Sequence, residues 1–175
     1  MIEQQKLVEF ATAATADVFS TMLGMEAVLQ EPRLDPDFPT INDGVMALVG
    51  MAGSWTGAGV ICCTAAFACK LCNQFIGTAA ENVDEEVLDA VGEVANMIIG
   101  NFKTSIEEHV GALGLSVPTV IYGRNFTSRS IGQNHWTVLP FRSGEEVLEV
   151  RVCLAPAKEP TAPRAGYSHN STVLA

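Results

Sequence analysis

Cations are scarce in this chain. Ten Lys and Arg stand against twenty Asp and Glu, for a formal net charge of −10 and a pI near 4.6. A nucleic-acid backbone or an anionic membrane surface would be repelled by that balance, whereas a partner with a basic patch would suit it. No run of eighteen apolar residues occurs, so the sequence predicts no transmembrane helix. The start, Met1-Ile2-Glu3-Gln4-Gln5-Lys6, has no basic stretch leading into an apolar one, and no signal peptide is expected. P-loop, GxGxxG and GxSxG motifs are all missing, which removes the common nucleotide-binding and serine-hydrolase scaffolds. A disulfide framework is missing too. The cysteine count is odd at five, and four of them (Cys62, Cys63, Cys69, Cys72) crowd into eleven residues. Reduced thiols in a cytoplasmic protein are the simplest account.

What remains is enough for one domain. A length of 175 residues with 48% hydrophobic content supports a full core and is not a disordered composition. Residues Leu7–Leu29 carry an apolar stripe (Val8, Ala11, Thr15, Val18, Phe19, Met22) and are predicted as a helix. The connector Glu31–Asp43 holds Pro32, Pro36 and Pro39 and cannot be helical. Two apolar, β-branched runs follow, Gly44–Ala52 and Gly59–Ala66, joined through Gly53–Gly57 as an antiparallel hairpin. Trp55 at its tip either packs on the sheet or meets a partner. A short helix is expected over Phe67–Ile76, stopped by Gly77, and Thr78–Asp84 leads into a long helix over Glu85–Val110. Asp84 is its natural N-cap, and Glu85 and Glu86 favour the positive end of the helix dipole. Strands are predicted at Ser116–Tyr122, His135–Arg142 and Glu146–Ala155, the last two pairing through Ser143-Gly144-Glu145. The domain spans residues 1–156, and 157–175 reads as a disordered C-terminal tail poor in apolar residues. The expected class is α+β, with helices packed on a largely antiparallel sheet.

The long helix carries the chemistry. Asp89, Glu93 and Asn96 are spaced by four and three residues, which places them at roughly 0°, 40° and −20° around the helix. Val87, Val91, Val94, Ala95, Ile98 and Phe102 lie on the opposite side. A core face thus backs a narrow outward face of two carboxylates and an amide. Gly92 and Gly100 flank that face at roughly −60° and 20°. Each costs about 1 kcal/mol relative to alanine in a helix interior. Bare backbone there either lets another protein approach or lets the helix pack tightly on its own sheet.

Twenty-one residues beyond Asn96 stands Pro118. The string Asp89-x3-Glu93-x2-Asn96-x21-Pro118 resembles the signature of the CheC/CheX/FliY family of chemotaxis phosphatases. The element order from about Leu7 to Pro156 is similar as well. A single copy of the pattern points to the CheX-type branch. The resemblance implies hydrolysis of the phosphoaspartate of a CheY-like response-regulator receiver domain in the cytoplasm. It implies that Glu93 engages the receiver's active-site lysine and Asn96 positions the attacking water; Asp89, Gly92 and Gly100 are the candidate residues for the partner surface, and Pro118 is read as fixing the strand entry. No cofactor or metal site is expected in this chain. Mg²⁺ is expected in the partner receiver, and a homodimer formed by joining sheets is implied. An acyl phosphate is already reactive, so such an enzyme has mainly to hold a water in line and manage charge. An amide can do that as both donor and acceptor without adding negative charge.

Two other readings were open on the residues. One is a non-catalytic module that binds or sequesters a receiver domain. The second is a metal or redox site at Cys69-x2-Cys72. Zinc needs about four ligands, His109, His135 and His169 lack ligand spacing, and Cys62 and Cys63 would point to opposite faces of a strand. Bystander thiols are the expectation.

Overall fold

The computed structural model describes residues 2–37, 40–127 and 135–157. Among the described residues three helices form: α1 (Gln4–Met22), α2 (Ala65–Ile76) and α3 (Glu85–Val110). The long helix has the bounds its sequence predicts. At its start the Asp84 carboxylate accepts from the Val87 N–H at 3.0 Å, and Glu85 and Glu86 occupy the first turn. At its end Gly111 takes φ 80°, and its N–H donates to the Glu107 carbonyl at 2.9 Å. Helix α2 is capped by Thr64, whose hydroxyl accepts from the Phe67 N–H at 3.1 Å. It stops at Gly77 in the left-handed region, φ 75°. The first helix is shorter than its apolar stripe suggests. Gly24 adopts φ 60°, and the Met25 N–H turns back to the Phe19 carbonyl at 2.9 Å, closing the helix seven residues before Leu29.

The strands are β1 (Val28–Leu29), β2 (Arg33–Asp35), β3 (Thr40–Gly53), β4 (Trp55–Cys63), β5 (Leu113–Leu115), β6 (Thr119–Thr127), β7 (Trp136–Ser143) and β8 (Glu146–Pro156). All pairings among the described residues are antiparallel. The order β1-β7-β8-β4-β3-β5 forms the sheet, with β2 also on β7 and β6 also on β3. The predicted hairpin is present as β3–β4, from Val45↔Cys63 to Ala52↔Thr56. It is longer than expected because β3 begins at Thr40, inside the proline-bearing connector. The strand predicted at Ser116–Tyr122 starts at Thr119 instead, directly after Pro118, which has no N–H to give a ladder. The three-residue β2 and β5 and the two-residue β1 are too short to show periodicity. Their long neighbours define them.

All three helices cover one face of the sheet. The main core lies between, built from Phe19 of α1, Phe67 and Leu71 of α2, and Val91, Ile98, Ile99 and Phe102 of α3 against Val45, Val49, Ile61, Leu139, Phe141 and Val150. Trp55 packs half-buried against this core. A second cluster, Met46, Val60, Trp136, Val138 and Cys153, occupies the other face. Helix α3 sits low on the sheet because Gly59 leaves a gap: a Cβ there would run into the Ile99 side chain. Asn101 of α3 donates to Asp17 of α1 at 3.1 Å, and the His109 ring stacks on Phe10 at 5.6 Å. The helix that carries the polar face is thus fixed from below and from the side. From Lys158 onward the expected tail, with His169, lies outside the described residues, as does Pro39 of the connector.

Candidate functional site

The outward face of α3 is as the spacing predicts. Asp89 and Glu93 are exposed and Asn96 is half-buried, while Val87, Val91, Val94, Ala95, Ile98 and Phe102 are fully buried beneath them. Among the described residues, no hydrogen bond or ion pair engages the side chains of Asp89, Glu93 or Asn96. Two carboxylates and an amide therefore stand free on a rigid, capped helix. Beside them opens a cleft of about 740 Å³ lined by Glu85, Leu88, Asp89, Gly92, Glu93, Pro118 and Val120. Its floor and one wall come from α3, and the other wall comes from the entry to β6. Distant positions in the chain, Asp89 and Pro118, thereby share one concavity.

The two glycines separate. Gly92 is buried, and a Cβ placed on it would lie 3.1 Å from Val120 Cγ2 and 3.8 Å from Pro118 Cβ. It is the point where α3 comes close to β6. Gly100 is half-buried, and its added Cβ would meet only Leu115 Cδ1, at 4.0 Å. Open backbone therefore lies one turn beyond Asn96. Leu88 and Val120 complete the cleft and carry no motif. Val120 could have been found, since strand alternation puts it on the same face as Pro118 two residues earlier.

The thiols make no competing centre. All five cysteines are free, and Cys69 and Cys72 are buried on the inner side of α2. Burial pushes the Cys62 thiol up to about 12 and raises Cys63, Cys69 and Cys153 as well, so none of these four is a ready thiolate. Among the described residues, no group of three or more His, Cys, Asp or Glu side chains could hold a metal ion.

A second polar cluster was not visible in the sequence. On the far face of the sheet Arg151 is nearly buried. It donates through Nη2 and Nε to Glu149 Oε2 at 2.7 and 3.1 Å, and through Nη1 to Asp35 Oδ2 at 3.3 Å. Arg33 closes the set on Glu149 Oε1 at 2.6 Å. Burial alone would raise the Glu149 pKa, but the hydrogen bonds and charge of Arg33 and Arg151 outweigh it and hold the carboxyl below the usual range. This network ties β2 to β8 and has no open side chemistry.

Three helices on one face of an antiparallel sheet, with Asp89 and Glu93 of α3 lining a cleft and Asn96 one turn beyond it, define an α+β protein with an open polar helix face. The profile of the family described as chemotaxis phosphatase CheX matches residues 45–142, from the hairpin through the cleft to β7. The chain belongs to that family. It is 25% identical over 129 residues to the CheY-P phosphatase CheX of Thermotoga maritima, covering 73% of this chain and 82% of that one. It is similar to the crystal structure of chemotaxis protein CheX from Vibrio vulnificus, at 27% identity and a TM-score of 0.75 over 86% of this chain and 99% of the other. The fold also matches CheX in the CheX–CheY–BeF3–Mg complex from Borrelia burgdorferi, at 24% identity and a TM-score of 0.73 over 85% and 97%. No helix among the described residues is long and apolar enough to cross a membrane.

Proposed function

We propose that this protein hydrolyses the phosphoaspartate of a CheY-like receiver domain, with the outward face of α3 as its half of the active site. The observation that carries this reading is the set of unpaired groups: Asp89, Glu93 and Asn96 share one face of a rigid helix, and nothing among the described residues uses them. The activity named for the Thermotoga relative supports it.

In this mechanism Glu93, exposed and without a cation of its own, pairs with the active-site lysine of the receiver and sets the register of docking. Asn96, half-buried at the edge of that contact, holds a water in line with the phosphorus–oxygen bond to be broken. Its amide accepts from and donates to that water and brings no negative charge toward the phosphoryl group. The leaving group is the receiver's own carboxylate, and Mg²⁺ arrives with the receiver. Asp89 adds to the acidic edge of the docking face. The protein works in the cytoplasm, as a homodimer joined at a sheet edge. The outer side of β6, which pairs only with β3 among the described residues, is one such edge.

The test is the decay of a phosphorylated co-encoded receiver with wild-type protein, Glu93→Ala and Asn96→Ala, together with binding of each variant. Acceleration by wild type is expected, with activity lost and binding kept in Asn96→Ala. Binding without any acceleration by wild type would instead establish the non-catalytic, sequestering module.

A further inference from the structure

The link between β5 and β6 holds the most exposed large apolar side chain described: Val117 is 83% exposed, against 56% for Leu34, the next. A single exposed valine on a loose loop would mean little. This one is held still. The Ser116 N–H donates to the Gly50 carbonyl at 2.9 Å, the Gly50 N–H donates to Ser116 Oγ at 2.9 Å, and that hydroxyl donates to the Val117 carbonyl at 2.9 Å. Gly50 leaves the room this clamp needs, since a Cβ there would stand 3.3 Å from Ser116 Oγ. On the other side Pro118 restricts Val117 to extended backbone, and a β-branched side chain has little χ1 freedom of its own.

The register explains the exposure. Met51 pairs with Leu115 and Leu48 with Thr119. Val49 and Gly50 therefore face Ser116, Val117 and Pro118, one residue more. Such a bulge re-aims a side chain and is common beside functional sites. Here it lies next to Pro118, a wall of the cleft that also holds Glu85, Asp89 and Glu93.

We infer that Val117 is a preformed apolar knob that docks into the receiver domain and helps to select it, which rests on the reading of the α3 face given above. The matching surface on the receiver is an apolar recess beside a cationic side chain, since the knob adjoins carboxylates that lack cations. Because the knob is already ordered, little conformational entropy is lost when it is covered. It takes no part in positioning the water.

The experiment measures binding of a beryllofluoride-activated co-encoded receiver, and the rate of phosphoryl loss at saturating enzyme, for wild type, Val117→Ser and Val117→Leu. The dimer state is followed by sedimentation. A serine replaces two methyl groups in a fully solvated position and leaves the fold intact. The expected result is a Kd raised on the order of tenfold for Val117→Ser, near wild-type for Val117→Leu, with the saturated rate unchanged in both. A Kd unchanged in Val117→Ser, while wild type still accelerates decay, overturns the knob and leaves the proposed function standing. A shift in dimer state without a change in receiver Kd also overturns it, assigning Val117 to a second copy of this chain. Failure of wild type to bind or dephosphorylate any co-encoded receiver overturns both readings together.

Discussion

Asp35 and Glu149, on one side of the sheet, and Asp89 and Glu93, on the other, show two fates for a carboxylate in the same small protein. The first pair is held by Arg33 and Arg151 in contacts of 2.6–3.3 Å, and Arg151 is nearly buried. The second pair sits in the open on α3 with no cation among the described residues. With only ten Lys and Arg in the chain, two are committed to fastening β2 against β8 and Lys103 pairs with Glu107 in the last turns of α3 at 2.9 Å, while Asp89 and Glu93 beside the cleft receive none among the described residues. Carboxylates satisfied from within hold the fold together. Those left unsatisfied on a rigid element are available to a cation from outside, and that is the property a docking surface needs.

The largest effect is expected from removing the internal cation. Arg151→Met leaves Asp35 without a cation and Glu149 with Arg33 alone, and should cost about 3 kcal/mol in denaturant-unfolding free energy. The activity of the molecules that remain folded should not change. A neutral effect on unfolding would mean that the network is no more than a solvated surface cluster.

Matched neutralisations come next. Glu93→Gln should weaken receiver docking by about ten- to a hundredfold with no loss of thermal stability. Glu149→Gln should lower thermal stability and leave docking alone. The two also differ in pH dependence. Glu149 has a lowered pKa in the fold, so its contribution is complete above the usual glutamate range and drains away as pH falls through the lowered value. Acid unfolding below about pH 4.3 should therefore be less steep in Glu149→Gln than in wild type, as read by circular dichroism across pH.

The smallest effect separates the two glycines of α3. Gly100→Ala has room and should stabilise the helix by up to about 1 kcal/mol, yet weaken docking if a partner approaches there. Gly92→Ala should gain less, because Val120 Cγ2 stands 3.1 Å from the new methyl. Thermal melts and receiver binding on the same two proteins give both signs.

These contrasts also show what the sequence could reveal. Helix α3 was legible to its ends because Asp84, the first-turn glutamates and Gly111 are local signals that agree with one another. The Asp89–Glu93–Asn96 face follows from helical spacing alone. The overestimate of α1 came from reading apolar spacing through Gly24, whose positive φ stops the helix. Strands β1, β2 and β5 could not be read, since two or three residues have no period and their partners lie far along the chain. The Arg151 network was hidden for the same reason. Asp35 and Glu149 are 114 residues apart and meet only once β2, β7 and β8 are in register. Pro118 lay between: its distance from Asn96 was visible, but the cleft it shares with α3 depends on the packing of Gly92 against β6.

In the proposed mechanism a neutral amide on α3 positions the hydrolytic water. Asn96→Asp keeps the size and shape of the side chain and changes only its charge and donor capacity. The decisive measurement is the rate of dephosphorylation of a co-encoded receiver at saturating protein, beside wild type at pH 7. The expected outcome is a rate reduced by about a hundredfold or more in a protein that folds and melts like wild type. A rate within a fewfold of wild type would contradict it.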